Sequence, residues 1–206
     1  MKKENMKEKL KTLINKYSLS ITDEKIDKLI DFASEVIDKN KKVNLISPKD
    51  ENRIIERHII DSLIFFKLDF IKSKNQTLLD IGSGGGFPGV VIAIIDESIK
   101  ITLSEKRMRK YMFLLWIKEK LKLKHVDIIG KEISGNENLF FDIITQRASG
   151  KIDYIHPLAM KLLKEDGKFI SWMSEDDLKG YQNQPNFIYN YYLEDGLKRS
   201  LCVWRK

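Results

Sequence analysis

The glycine-rich segment at residues 80–89, Asp-Ile-Gly-Ser-Gly-Gly-Gly-Phe-Pro-Gly, limits the possible folds of this chain more than any other feature. It joins a short apolar run at residues 78–81 to a second one at residues 88–95, which predicts a strand, a turn and a helix. Five glycines within eight positions let the backbone turn sharply and approach a ligand closely. The helix beyond the turn presents unpaired N–H groups, so the turn is a candidate binding site.

Strands and helices alternate along the rest of the chain. Strands are predicted at residues 99–103, 126–129, 141–145 and 169–172, with helices around residues 108–115 and 154–163. Two β segments near the C-terminus, joined through Asp195-Gly196, predict a closing hairpin. Repeated strand–helix units favour an α/β fold with a mostly parallel sheet, to which the hairpin adds an antiparallel C-terminal edge strand.

The first third of the chain predicts helices. Apolar residues repeat at helical spacing between residues 10 and 17, and Thr22 is the predicted N-cap of a second helix that runs toward Pro48. A third helix is predicted from about residue 52 to residue 66. We therefore interpret residues 1–72 as a helical extension packed on a core domain at residues 73–206.

Three kinds of ligand bind to a glycine turn of this type. A mononucleotide P-loop is excluded because Gly-Lys-Ser/Thr is absent. A dinucleotide site stays open because Gly84, Gly86 and Gly89 satisfy G-x-G-x-x-G. The third ligand is S-adenosylmethionine, whose methionine part would lie against Asp80, Gly82, Gly84 and Gly86.

Two acids bear on the choice of ligand. Glu105 follows the second strand, where an acid binds ribose hydroxyls, and this position suits both cofactors. Asp80 would repel a pyrophosphate, but it suits the cationic ammonium group of S-adenosylmethionine. The residues therefore favour a methyltransferase and leave a nicotinamide oxidoreductase as the alternative.

The composition limits which partners and ligands the chain is expected to bind. A net charge of +7 favours an anionic partner, with nucleic acid the first candidate. The single cysteine, Cys202, excludes an intramolecular disulfide, and the three histidines lack metal-ligand spacing, so no metal is expected. The longest apolar run is too short to cross a bilayer, and the N-terminus shows no signal peptide. We expect a cytoplasmic monomer without membrane contact.

Over nearly its whole length the chain resembles the bacterial 16S ribosomal RNA guanine-N7 methyltransferases, once called glucose-inhibited division protein B. The motifs that carry the resemblance are Asn40-Lys41, Asn44-Leu45 with Ser47, Arg57-His58 with Asp61-Ser62, residues 80–89, residues 105–110 with Phe113-Leu114, Phe141-Asp142 and Arg147-Ala148. The Phe-Pro-Gly end of the glycine turn and the His-x-x-Asp-Ser element are the family-specific parts. The resemblance implies a Rossmann-like class I fold and S-adenosylmethionine as cofactor. It also implies methyl transfer to guanine N7 in 16S rRNA, with that RNA or the small ribosomal subunit as partner.

The resemblance also implies a set of site residues. They are Gly82, Phe87 and Arg147 against the cofactor, Glu105 on its ribose, and Glu132-Ile133-Ser134 beside its adenine. In the last stretch this chain departs from the family, which usually carries a basic residue and acids there. Arg147 is also the candidate catalytic residue, as a hydrogen-bond donor to guanine O6. A ribosome-assembly factor with a vestigial cofactor site is a third interpretation of the same resemblance.

Two groups of polar residues have a structural and a functional interpretation. Arg57 and Asp61 form an i,i+4 ion pair beside a hydrogen-bonded His58, or their helix lines the cleft. Lys106, Arg107, Arg109 and Lys110 follow the second strand and either cover a solvated helix face or contact phosphates.

Overall fold

The computed structural model describes residues 2–71, 75–148, 150–178 and 181–206, and its centre is a seven-stranded sheet. The strands are β1 (Thr77–Ile81), β2 (Lys100–Ser104), β3 (Val126–Ile129), β4 (Phe141–Arg147), β5 (Leu163–Met173), β6 (Phe187–Tyr192) and β7 (Lys198–Arg205). Their order across the sheet is β3-β2-β1-β4-β5-β7-β6.

Helices cover the sheet. They are α1 (Lys3–Lys16), α2 (Asp23–Val43), α3 (Asp61–Leu63), α4 (Gly89–Ile95), α5 (Met108–Lys120), α6 (Ile152–Leu162) and α7 (Glu175–Leu178). Short 3₁₀ turns occupy Pro48–Arg53, Ile64–Lys67 and Asp69–Ile71, and a π-helical turn occupies Ile55–Ile60. In the described part of the chain, no helix has the length and apolar content needed to span a bilayer.

The strand directions confirm the predicted sheet. Strands β1 to β5 pair in parallel, whereas β7 is antiparallel to both β5 and β6. Asp80 lies opposite Leu103 of β2 and Thr145 of β4, so the carboxyl ends of these three strands meet at one edge. In open α/β sheets this edge is where ligands bind.

One predicted turn lies inside a strand. The sequence places Asp166-Gly167 in a turn before a strand that starts near Phe169, but β5 begins at Leu163. Its pairing with β4 shifts register there, because Phe141 pairs with Leu163 and Ile143 already pairs with Lys168. The turn is therefore an irregularity within β5.

The N-terminal helices share their core with the sheet. Leu10 and Leu13 of α1 belong to the same buried cluster as Leu78 of β1 and Val90 of α4. The Thr22 hydroxyl accepts a hydrogen bond from the Lys25 amide at 3.4 Å, as an N-cap does. The predicted boundary between residues 72 and 73 lies outside the described residues.

Helix α2 ends before it reaches Pro48, which the sequence predicted as its end. Its last residue is Val43, and Asn44 caps it in the left-handed conformation at φ 54°. Asparagine tolerates this conformation better than most residues, which explains the early end.

The predicted third helix is not one α-helix. Residues 52–66 form 3₁₀, π and α turns in succession, and the Asp61 amide donates to the Glu56 carbonyl five residues earlier. The prediction of continuous α-helix is wrong because a π turn holds an extra residue, which rotates the following side chains around the axis. Such turns occur frequently at functional sites.

Candidate active site

A cavity of about 410 Å³ lies at the carboxyl ends of β1, β2 and β4. Seven of the ten residues predicted to contact a cofactor line it, namely Gly82, Gly84, Phe87, Glu105, Glu132, Ile133 and Arg147. Of the other three, Asp80 and Gly86 lie behind the glycine turn, and Ser134 lies outside the cavity wall. The sequence therefore predicted most of one wall of the cavity.

The glycine turn is tied to the end of β2. The Ser83 amide donates to the Ser104 carbonyl at 2.9 Å, and the Gly84 amide donates to the Glu105 carboxylate at 3.0 Å. Gly82 and Gly84 have φ values of 67° and 56°, a region that side chains disfavour. Both glycines present backbone to the cavity.

Gly86 and Gly89 serve packing. A Cβ on Gly86 would lie 2.7 Å from Val90, and one on Gly89 would lie 2.3 Å from Leu103. In a dinucleotide fingerprint the third glycine packs the helix on the sheet, as Gly89 does, but the second lets the backbone approach the pyrophosphate. Gly86 faces Val90 and does not line the cavity, so the structure disfavours the dinucleotide alternative.

Asp80 joins the turn to its neighbours. Its carboxylate is fully buried and accepts hydrogen bonds from the Thr145 hydroxyl at 2.9 Å and the Gly89 amide at 3.2 Å. Burial raises the pKa of Asp80 to about 6, although these hydrogen bonds act in the opposite direction. Direct contact of Asp80 with a cofactor stays a prediction, and its contacts here hold β1, β4 and α4 together.

The pKa of Asp80 predicts a dependence of stability on pH. Because the folded-state pKa lies above the ordinary value of 3.8, the stability from this group is complete below that pH and is lost as the pH rises through 6. Asp80→Asn lacks this ionisation. We expect the stability of the wild type relative to Asp80→Asn to fall by about 3 kcal/mol between pH 3.5 and 7. Urea unfolding at a series of pH values measures it.

Asp142→Asn is the matched control for that measurement. Although burial raises the pKa of Asp142, Lys164 and Thr77 hold it below its usual value, so its contribution changes with the opposite sign. Wild-type stability relative to this variant should rise with pH. If the stability difference between the wild type and Asp80→Asn did not change with pH, the raised pKa of Asp80 would be contradicted.

Acidic and apolar residues that follow β2 and β3 form another wall of the cavity. The Glu105 carboxylate is buried and also accepts from the Arg107 amide at 2.7 Å. Ile133 is buried against the cavity, whereas Glu132 is exposed and pairs with Lys106 at 2.9 Å. Ser134, which was predicted beside the adenine, does not line the cavity, and its hydroxyl and amide donate to the Glu137 carboxylate.

Arg147 is held at the end of β4. Its guanidinium donates to the Arg57 carbonyl at 3.0 Å, to the Asp61 carboxylate at 2.9 Å and to His58 Nδ1 at 2.6 Å. It also lies over the Phe87 ring, 5.4 Å from the centroid. Arg147 therefore connects the glycine turn to the π turn across the cavity.

The prediction of an i,i+4 ion pair between Arg57 and Asp61 is wrong. Arg57 pairs with Asp195 of the C-terminal hairpin, and the buried Asp61 carboxylate faces Arg147, Arg199 and the Tyr191 hydroxyl. The π turn spaces side chains differently from an α-helix, so a separation of four residues does not bring Arg57 to Asp61. Arg57, His58 and Asp61 do line the cavity, as the alternative interpretation requires, and their contact with cofactor or RNA stays a prediction.

The C-terminal hairpin supplies residues that the sequence did not indicate. Leu193, Leu197 and Arg199 line the cavity opposite the glycine turn. No local motif marks them, because the long-range pairing of β7 with β5 brings them there.

The basic residues after β2 divide into two sets. Lys106, Arg107 and Lys110 line the cavity, and Lys110 is half-buried, which lowers its pKa. Arg109 is exposed and does not line the cavity. Among the described residues, no cluster of three or more His, Cys, Asp and Glu side chains has the geometry of a metal site.

The lining residues fit S-adenosylmethionine. Glu105 offers a carboxylate to ribose hydroxyls, and Ile133, Ile155 and Leu158 offer an apolar surface to a base. Gly82, Gly84 and Gly85 line the cavity together with Phe87, and backbone without side chains lets an extended chain approach closely. A carboxylate, an apolar surface and open backbone in one cavity suit a nucleoside with an amino-acid tail.

Comparison with solved structures identifies the fold. An O-methyltransferase from Bacillus cereus in complex with SAH superposes with a TM-score of 0.59 at 15% identity, over 85% of this chain and 91% of that chain. A putative S-adenosyl-L-methionine-dependent methyltransferase from Methanococcus maripaludis gives 0.59 at 15% identity, over 84% and 91%. The fold is that of the class I S-adenosylmethionine-dependent methyltransferases, as predicted.

Sequence comparison narrows this class to one family. The family model described as GidB, rRNA small subunit methyltransferase G, matches residues 25–190. A protein of that name from Fusobacterium nucleatum is 30% identical over 92% of this chain and 83% of its own length. Its namesake from Francisella tularensis subsp. novicida is 28% identical over 98% of both chains. The chain belongs to the rRNA small subunit methyltransferase G family, which confirms the resemblance.

Proposed function

We propose that this chain transfers a methyl group from S-adenosylmethionine to N7 of a guanine in 16S ribosomal RNA. The observation that carries the proposal is the family match at residues 25–190, a range that contains the glycine turn, Glu105 and Arg147. The same residues surround a cavity of about 410 Å³ at the ligand-binding edge of the sheet.

One region of the cavity would hold the cofactor. Glu105 would bind the ribose hydroxyls, Ile133 would contact the adenine, and Gly82, Phe87 and Arg147 would flank the methionine part. When bound, the cofactor supplies a methyl group already activated by its sulfonium. Asp80 would act from behind the turn by fixing its conformation through Gly89 and Thr145.

The acceptor chemistry requires no general base. Guanine N7 carries a lone pair and no proton at neutral pH, so no proton has to leave during its methylation. His58 is suited to a neutral role, because burial and the neighbouring Arg147 hold its pKa well below 6.5. The chain's contribution is alignment of the reacting groups, which can lower a barrier by roughly 7–11 kcal/mol.

Basic residues at the cavity mouth would bind the RNA backbone. Lys106 and Arg107 are exposed and line the cavity, and Arg109 is exposed in the first turn of α5. They would meet phosphates on either side of the target nucleotide, in keeping with the net charge of +7.

Methyl transfer by the purified chain tests this function. We expect labelled methyl from S-adenosylmethionine to enter small subunits from a strain that lacks the gene, and digestion to release 7-methylguanosine. Because no group has to lose a proton, the single-turnover rate should be nearly flat between pH 6.5 and 8.5. Bound cofactor without transfer would indicate an assembly factor with a vestigial site. A steep rate profile lost in His58→Ala would contradict the base-free chemistry.

A further inference from the structure

Most backbone amides of the glycine turn are committed within the protein. Six of them donate to oxygen atoms of the chain at 2.7 to 3.3 Å, namely those of Gly82, Ser83, Gly84, Gly86, Phe87 and Gly89. Pro88 has no N–H group. In residues 82–89, all of which the structure describes, only the Gly85 amide lacks an acceptor in the protein. An anionic ligand therefore needs its main contact from a side chain.

Seven lysine and arginine side chains line the cavity, and five of them have an acidic partner. The pairs are Arg57 with Asp195, Lys106 with Glu132, Lys131 with Glu137, and both Arg147 and Arg199 with Asp61. The other two, Arg107 and Lys110, make no side-chain ion pair within the described part of the chain. Arg107 is exposed, whereas Lys110 is half-buried. Charges that leave water are normally paired, so Lys110 indicates an anionic ligand.

Lys110 lies over the glycine turn. Its Nζ is 3.8 Å from the position that a Cβ on Gly84 would take, and both residues line the cavity. Gly84 belongs to the wall against which the methionine part of the cofactor is predicted to lie. Glu105 attracts the ammonium group, but its two carboxylate oxygens already accept from the amides of Gly84 and Arg107, at 3.0 and 2.7 Å.

We propose that the Lys110 ammonium group binds the carboxylate of the cofactor's methionine part. The inference rests on the proposed function, because that function places S-adenosylmethionine in the cavity. The carboxylate is the one anionic group of this ligand, and hydrogen bonds between charged groups are stronger than those between neutral groups. Lys110 would also repel the ligand's own ammonium group. It would therefore determine which of the two groups turns toward α5.

Arg147 is a weaker candidate for this contact. Its guanidinium already donates to the Arg57 carbonyl, the Asp61 carboxylate and His58. The buried Asp61 carboxylate also compensates its charge. Lys110 has no such acceptors, so a carboxylate can pair with it without breaking an existing contact.

Decarboxylated S-adenosylmethionine tests the contact, because it lacks only the carboxylate. Titration calorimetry measures the affinity of both ligands for the wild type and for Lys110→Met, which removes the charge and keeps an unbranched side chain. The matched control is Lys118→Met, since Lys118 is also a half-buried lysine of α5 but does not line the cavity. Both substitutions change the net charge equally. Thermal unfolding shows whether each variant is folded.

We expect the wild type to bind S-adenosylmethionine at least about tenfold more tightly than the decarboxylated ligand. Lys110→Met should lose about tenfold on S-adenosylmethionine and almost nothing on the decarboxylated ligand. The ratio of the two dissociation constants then approaches one. Lys110→Arg should keep most of the wild-type ratio, and Lys118→Met should keep all of it. Any effect of Lys110 on ribose binding by Glu105 cancels in this ratio.

Three results would overturn the inference. Equal affinity of the wild type for the two ligands would show that the carboxylate is not bound, and this result needs no variant to fold. Loss of the same factor on both ligands in Lys110→Met would assign Lys110 to the shape of the site. Unchanged cofactor affinity in Lys110→Met, with weaker and less salt-dependent binding to small subunits, would assign it to an RNA phosphate.

The proposed function can fail separately from this inference. If the wild type bound S-adenosylmethionine but transferred no methyl group to small subunits, the proposed function would be refuted and the contact of Lys110 would still be decided by the two ligands. If the wild type bound neither ligand, the inference would be refuted together with the proposed function.

Discussion

Gly82→Arg is expected to abolish S-adenosylmethionine binding while the chain stays folded. Gly82 lines the cavity at the end of β1, so a long side chain there fills the space proposed for the methionine part. The affinity should fall by roughly a hundredfold or more, which corresponds to nearly 3 kcal/mol. Its φ of 67° adds strain of about 1–2 kcal/mol to the fold, a cost that a domain of this size tolerates. Titration calorimetry and thermal unfolding measure the two effects.

Gly196→Arg is the control that separates the effect of backbone strain from the effect of a blocked cofactor site. Gly196 also has a positive φ, 78°, but nothing lies within 4 Å of the position of its Cβ. The same side chain there costs similar strain and leaves the glycine turn open. If Gly82→Arg bound the cofactor as tightly as Gly196→Arg does, the glycine turn would not be the binding site.

Asp61→Asn is expected to destabilise the fold strongly, although the substitution is nearly isosteric. The carboxylate is 1% exposed and lies 2.9 Å from Arg147 and 3.6 Å from Arg199. Loss of its charge leaves two partly buried guanidinium groups without compensation. We expect the free energy of unfolding to fall by roughly 3 kcal/mol, because breaking a buried ion pair costs about 3–5 kcal/mol. Urea denaturation measures the change.

The control for this prediction is an exposed ion pair. Asp31 pairs with Lys3 at 2.6 Å, with side chains 52% and 60% exposed. Asp31→Asn should change stability by about 0–1 kcal/mol, since water screens such pairs. Equal effects of the two substitutions would mean that Asp61 does not neutralise the arginines.

Local sequence patterns predicted the sheet and one side of the cavity. Hydrophobic runs of strand length separated by helices gave β1 to β5, and the glycines at 82 and 84 marked the turn that faces the cavity. These features depend on neighbours in the sequence. Glu105 was predictable for the same reason, because it directly follows a strand whose carboxyl end is at the ligand-binding edge.

The other side of the cavity depends on contacts between distant residues. The sequence suggested that Arg57 pairs with Asp61, four residues later. Arg57 instead pairs with Asp195, 138 residues later in the chain. No spacing rule relates these positions, and the π turn that reorients Arg57 leaves no clear trace in the hydrophobic pattern. Leu197 and Arg199 likewise reach the cavity only because β7 inserts between β5 and β6.

The most direct test of the proposed function is the nucleoside content of 16S RNA in cells that lack this gene. The RNA is digested after complementation with the wild type, with Gly82→Arg or with an empty vector, and 7-methylguanosine is quantified by mass spectrometry. We predict that the wild type restores this nucleoside and that Gly82→Arg and the empty vector do not. The same amount of 7-methylguanosine in 16S RNA with and without the wild-type chain would contradict the account.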